Sequence, residues 1–167
     1  MHRIDAGTSG LILAAKTKPA MAALSTEFAE RRVGKTYLAL VSGTLPAEDR
    51  GRIDVPLRKT GRSVEPGQIE QGADAATTDW LIKARGDGLA LIEARPLTGR
   101  MHQIRAHLAD LGCPIIGDVI YGAGTPTAER LMLHAVQLDI TRPDKVKLTL
   151  EAPIPSEFED KRRALGL

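Results

Sequence analysis

Residues 36–41, Thr-Tyr-Leu-Ala-Leu-Val, read as a strand with apolar residues on both sides of a two-residue alternation. Tyr37, Ala39 and Val41 fall on one side, Leu38 and Leu40 on the other, because successive strand side chains point to opposite faces. A strand that is apolar on both faces is expected in the middle of a sheet covered on both sides. The chain has 167 residues, the usual size of one domain. Its apolar content of 43% is ample for a core, and with aromatics at only 3% that core must be built from Leu, Ile, Val and Ala.

Other elements arrange themselves around this strand. Gly10–Lys16 is a short apolar run after a turn and reads as a buried strand. Thr17 is placed to cap a following helix with Pro19 in its first turn, where a missing N–H costs nothing. Met21, Leu24 and Phe28 lie on one face of that helix, which is expected to end near Arg32, with Gly34 as its stop. Residues 44–75 are rich in glycine, proline and charge and read as loops around short strands. Thr77–Ala84 and Leu89–Arg95 form a hairpin across Arg85-Gly-Asp-Gly88, since glycine supplies positive φ at a tight turn. Thr98 is expected to cap a helix whose stripe is Met101, Ile104, Leu108 and Leu111, ended by Gly112. Leu133–Ile140 and Val146–Leu150 read as strands, and Pro155–Leu165 as a last helix. Strands outnumber helices and neighbours look antiparallel. The expected class is α+β, with a mixed, largely antiparallel central sheet flanked by helices, in one domain spanning 1–167.

Several functions are excluded or left without support. Cys113 is the only cysteine, so an intrachain disulfide or a cysteine-based zinc cluster is impossible. No apolar run is long enough to cross a bilayer and no signal peptide is visible, which makes cytoplasmic placement the default and a membrane partner unexpected. A formal charge of +2 is too mild to announce nucleic-acid binding. Basic residues do cluster locally, at Arg31, Arg32 and Lys35, at Arg58, Lys59 and Arg62, and at Arg95, Arg100 and Arg105; such clusters are more often solvated faces than binding sites.

Two segments carry polar groups where chemistry is plausible. His2-Arg3-Ile4-Asp5-Ala6-Gly7-Thr8-Ser9-Gly10 places a carboxylate in a glycine-containing turn before a strand, where it can be rigid and face a cleft. Aspartate also caps turns with no further role. In Thr98-Gly-Arg-Met-His-Gln-Ile-Arg-Ala-His107, the groups of His102, Gln103 and Arg105 project from the start of a helix, a place that attracts phosphate. An amphipathic helix with a solvated side would look the same. His102 and His107 lack the i, i+4 spacing of a helical zinc pair, so no metal is expected.

In order and spacing these segments resemble the RluA-type RNA pseudouridine synthases, which modify ribosomal and transfer RNA. The family's H-R-L-D-x-x-T-S-G signature is matched by His2-Arg3-Ile4-Asp5 and Thr8-Ser9-Gly10, and its K-x-Y-x-A-x-V-x-G strand by Lys35 to Gly43. Its T-G-R-x-H-Q-I-R-x-H helix is intact from Thr98 to His107. The L-G-x-P-I-x-G-D-x-x-Y-G turn runs from Leu111 to Gly122, and R-L-x-L-H-A from Arg130 to Ala135. Five motifs in order, covering nearly the whole chain, are far more specific than one short motif. The match departs after the key aspartate, where the family usually has a basic and then an acidic or polar residue and this chain has Ala6 and Gly7.

The resemblance implies isomerisation of uridine to pseudouridine in structured RNA, with no cofactor, no metal and no DNA partner. It implies that Asp5 is the catalytic carboxylate, that Arg105 pairs with it and favours its ionised form, and that Tyr37 stacks on the uracil and helps remove the C5 proton. Arg3 would fill the space of a flipped-out base, while Thr8, Arg100, His102 and Gln103 would contact substrate. It also implies that an N-terminal strand segment and an S4-type RNA-binding domain are missing before Met1, leaving a sheet edge open to self-association. The alternative functions are an inactive fragment that at most binds RNA, and a base-releasing glycosidase, which the five motifs do not explain.

Overall fold

The computed structural model describes residues 2–142 and 144–167. Nine strands, three α-helices and one 3-10 turn succeed one another among them. The strands are β1 (Ser9–Gly10), β2 (Gly34–Ser42), β3 (Arg50–Asp54), β4 (Leu57–Thr60), β5 (Ser63–Pro66), β6 (Thr77–Arg85), β7 (Leu89–Pro96), β8 (Leu133–Thr141) and β9 (Lys147–Glu151). The helices are α1 (Lys18–Ala29), α2 (Gln103–Asp110) and α3 (Ser156–Ala164). The architecture is α+β: a seven-stranded sheet in the order β1-β8-β2-β7-β6-β3, with β9 also on β8, and a separate β4-β5 hairpin. Every pairing is antiparallel except β1 with β8.

β2 is the interior strand its two apolar faces require. It pairs with β7 on one side and β8 on the other, and Ala39, Leu40 and Val41 are fully buried. The β6–β7 hairpin forms as expected, with Gly88 at φ 62 in its turn. The main core joins this sheet to Ile104 and Leu108 of α2, to Ile115 and Ile116, and to Phe158 of α3, which is wholly buried. At the far end β3 is an edge strand carrying Arg50, Arg52 and Asp54, and charge of this kind discourages edge-to-edge pairing.

Three local expectations are corrected. The run Gly10–Lys16 is not a buried strand: pairing ends at Gly10, and Ile12 is 62% exposed. The reason lies in β8, one edge of which is held by β2. Its other edge is shared, with Ser9 and Gly10 opposite His134 and Ala135, and β9 opposite Gln137–Thr141. Beyond Leu11, whose N–H still donates to the Ala135 carbonyl, β9 occupies the edge. Leu11 and Leu13 instead pack against the small cluster of Val33, Leu138 and Ile140.

The second correction concerns α1. Thr17 caps it as expected, its hydroxyl accepting from the Ala20 N–H. The helix nevertheless stops at Ala29; Arg31 makes the reversal at φ 56, and Gly34 opens β2. The third concerns α2, which starts at Gln103 with His102 as its N-cap in the left-handed region, φ 50. Thr98 is not its cap. The Thr98 hydroxyl donates to Gln103 Oε1 at 2.6 Å and accepts from the Thr77 N–H.

Candidate functional site

The loop of residues 2–8 is anchored at its C-terminal end, where β1 pairs with β8 and the Ser9 hydroxyl lies 2.9 Å from His134 Nδ1. Gly10 has φ 104, and a Cβ there would collide with the backbone of Ala135, so only glycine allows this approach. The turn closes with Thr8 N–H donating to the Asp5 carbonyl at 3.1 Å. The Asp5 carboxylate is thereby fixed, with 18% of its side chain exposed.

It faces a cleft of about 710 Å³ between this loop, α1, β2 and the segment leading into α2. Among the described residues the cleft wall holds one carboxylate, Asp5, and five Lys or Arg side chains: Arg3, Arg31, Lys35, Lys59 and Arg100. The sequence clusters are thus divided by the fold. Arg32 and Arg58 pair with Glu27 and Glu65 on the surface, whereas Arg31, Lys35, Lys59 and Arg100 turn toward the cleft. Thr8 also lines it, with a buried hydroxyl oxygen that has no hydrogen-bond partner among the described residues.

Tyr37, 8% exposed, stands on β2 beside Asp5. Burial and, second, the charge of Asp5 push its phenol up to about 12. It is therefore a neutral phenol at neutral pH, offering a ring and an O–H rather than a phenolate.

Arg105 lies behind the carboxylate. Its Nη1 is 3.6 Å from Asp5 Oδ2, but its tighter partner is Asp118, with Nε to Oδ2 at 2.7 Å and Nη2 to Oδ1 at 2.8 Å. This is a bidentate fork, the strongest geometry available to an arginine and a carboxylate. Asp118 Oδ1 also accepts the N–H groups of Ile120 and Tyr121. Burial favours the neutral acid of Asp118, but the bonds from Arg105 and these two N–H groups outweigh it and hold the group below the usual carboxylate range. Gly117, at φ 77 and packed on the Arg130 carbonyl with no room for a Cβ, sets the turn that delivers Asp118. Tyr121 completes the support, with its ring 5.2 Å from the Arg105 guanidinium carbon and its hydroxyl receiving the Val64 N–H.

Arg3, Asp5, Thr8, Tyr37, Arg100 and Gln103 all line the cleft, while Arg105 and His102 sit behind it. His102 Nδ1 is 3.2 Å from the Tyr121 hydroxyl. Gln103 is only 4% exposed, and its amide is fully committed to the protein. Oε1 accepts from Thr98 and the Arg100 N–H, and Nε2 donates to Thr77 O and Thr78 Oγ1. It shapes the turn that presents Arg100. The alternative of an amphipathic helix with a solvated side fails for the first six residues of α2, since Gln103–Leu108 are all buried.

Asp118, Tyr121 and Lys35 are the site residues that sequence reasoning passed over. The first two stand in the G-D-x-x-Y-G turn, whose glycine and acid were visible, but no spacing rule says that this acid meets Arg105. No group of three or more His, Cys, Asp or Glu arranged to hold a metal occurs among the described residues. Cys113 is buried, which pushes its thiol up to about 11 and leaves it unreactive. No helix among the described residues is long and apolar enough to cross a membrane.

Comparison with known proteins places this geometry. The family profile described as RNA pseudouridylate synthase matches residues 1–110. An uncharacterised RNA pseudouridine synthase of Zymomonas mobilis is 40% identical over 164 residues, covering 96% of this chain and 74% of the relative. The dual-specificity RNA pseudouridine synthase RluA of Yersinia pestis is 42% identical over 148 residues, covering 86% and 71%. Among solved structures, human RNA pseudouridylate synthase domain containing 1 superposes with a TM-score of 0.81 at 31% identity, over 92% of this chain and 68% of that one.

Proposed function

Because the chain belongs to the RNA pseudouridylate synthase family, of the RluA type, we propose that it isomerises uridine in ribosomal or transfer RNA with Asp5 as the reacting carboxylate. The observation that carries this reading is the cleft itself, in which one carboxylate sits between a buried arginine and a buried tyrosine inside a wall of five cations. A polyanion is drawn to such a wall, while the single negative group is reserved for the sugar.

In the reaction the C1′–N1 bond breaks, the uracil turns, C5 bonds to C1′, the C5 proton leaves and N1 gains a proton. No oxidant or energy source is required. Asp5 suits either of two parts, attack on C1′ to give a glycosyl ester or removal of the C2′ proton. Both consume its negative charge. Asp5 regains that charge when C5 bonds to C1′, because the ester then breaks or the proton returns to C2′, so it is again ionised when the C5 proton leaves. Tyr37 beside it is a neutral phenol, which offers its ring to the uracil and can take the C5 proton only as it gives up its own. A base inside a stacked RNA must be flipped out to reach this depth; Arg3 is exposed at the cleft and in this reading fills the gap the base leaves.

The test is pseudouridine formation in ribosomal and transfer RNA transcripts incubated with the purified chain and with Asp5→Asn. The parent should convert uridine. The variant should convert none while binding RNA within about tenfold of the parent, since it removes the reactive charge but little contact area. An Asn variant that works at the parental rate would remove Asp5 from the reaction.

A further inference from the structure

Lys35 is a charged group of the cleft wall that takes no part in the isomerisation chemistry. We propose that Lys35 is a phosphate-binding residue that grips the RNA backbone next to the uridine seated against Tyr37, an inference that rests on the proposed synthase activity. Lys35 and Tyr37 stand two residues apart on β2 and both line the cleft, a separation of roughly 7 Å along a strand. The Lys35 ammonium donates to the Thr98 carbonyl at 2.8 Å and passes the bare α-carbon of Gly99. Among the described residues no carboxylate lies within ion-pair distance of it. An ammonium has three donors, and only one is engaged.

Its setting makes the missing counter-charge significant. Lys35 is half-buried, and burial brings it down to about 8. His2 beside it is no substitute for an anion: burial and then the Lys35 charge keep that imidazole neutral at neutral pH. Most other cations of the cleft are differently disposed. Arg3 and Arg31 are exposed to water, and Arg100 meets Asp74 and the Ala75 carbonyl. A half-buried cation facing a cleft without an anion is stabilised when one arrives, and on an RNA strand the anion is a phosphate. The neighbouring Gly99 leaves the approach open.

The experiment compares the parent with Lys35→Met and Lys35→Arg on a short uridine-containing stem-loop RNA. Affinity is measured across a sodium chloride series, and single-turnover isomerisation at saturating RNA. Lys35→Met should bind on the order of ten-fold more weakly, with a salt slope shallower by about 0.7, the loss of one phosphate contact on a single strand. Its saturated rate should stay within a few-fold of the parent, and Lys35→Arg should recover the slope. An unchanged slope, or a collapsed rate at parental affinity, overturns the proposal, the latter because it makes Lys35 a proton-transfer group. If Lys35→Met does not fold, acetylation of Lys35 in the parent is followed by mass spectrometry; protection by the RNA supports the contact and equal labelling overturns it. Pseudouridine counted in the parental reactions tests the synthase activity separately, so the two failures give different results.

Discussion

Asp5 and Asp118 hold the same guanidinium, yet their removal should have opposite consequences. Asp118→Asn keeps the shape and the oxygen that receives the Ile120 and Tyr121 N–H groups, but turns an amide NH2 toward the Arg105 donors. The 2.7 Å bond to Oδ2 is lost, the 2.8 Å bond to Oδ1 keeps an oxygen but not its charge, and a buried arginine, 6% exposed at its side chain, is left facing another donor. Breaking a buried pair on one side costs about 3–5 kcal/mol. For a domain of this size each kcal/mol moves Tm by roughly 2–4 °C, so a fall on the order of 10 °C is expected. Asp5→Asn removes a looser contact at 3.6 Å from a partly exposed carboxylate, worth about 1 kcal/mol or less. Thermal melting by circular dichroism and pseudouridine formation, run on both variants, should therefore separate. Asp5→Asn melts near the parent and is inactive; Asp118→Asn melts far lower and keeps measurable activity below its transition. Equal melting shifts would refute the argument that Arg105 is anchored by Asp118 and only directed at Asp5.

Two further outcomes are expected from the same structure. All four histidines, His2, His102, His107 and His134, are held below their ordinary value of 6.5, with burial as the largest cause. Groups with a lowered native pKa bind more protons when unfolded, so stability is full above about pH 6.5 and falls as acid drives protonation below it; denaturant midpoints at pH 7.5 and 5.5 should differ in that direction, and His107→Gln should reduce the difference. Gly10→Ala forces a Cβ into the Ala135 backbone at φ 104 and should cost about 2 kcal/mol or more while disordering the Asp5 loop; a parental melting curve with full activity would contradict the close approach.

Periodicity and punctuation made much of the fold legible. β2 announced itself as central through apolar residues on both faces, the β6–β7 hairpin through its glycine turn, and the start of α1 through Thr17 and Pro19. Each depends on forces acting within a few residues or on burial in any core, and the order of five motifs added the family. What the sequence could not supply was competition between distant segments. Gly10–Lys16 has strand-like residues, but β9 takes the edge it would need. Thr98 is a good cap by type, yet Gln103, held by Thr77 and Thr78 of another strand, draws it away and leaves the helix start to His102 in a left-handed conformation. Arg105 was matched to Asp5 through the motifs, but that its fork closes on Asp118 depends on the turn at Gly117. Likewise the basic clusters along the chain do not say which cations will find carboxylates and which will line a cleft. Local sequence determined what each segment prefers to be; the tertiary structure decided which buried charges and open hydrogen-bonding edges meet, because those partnerships are contested among segments far apart in the chain.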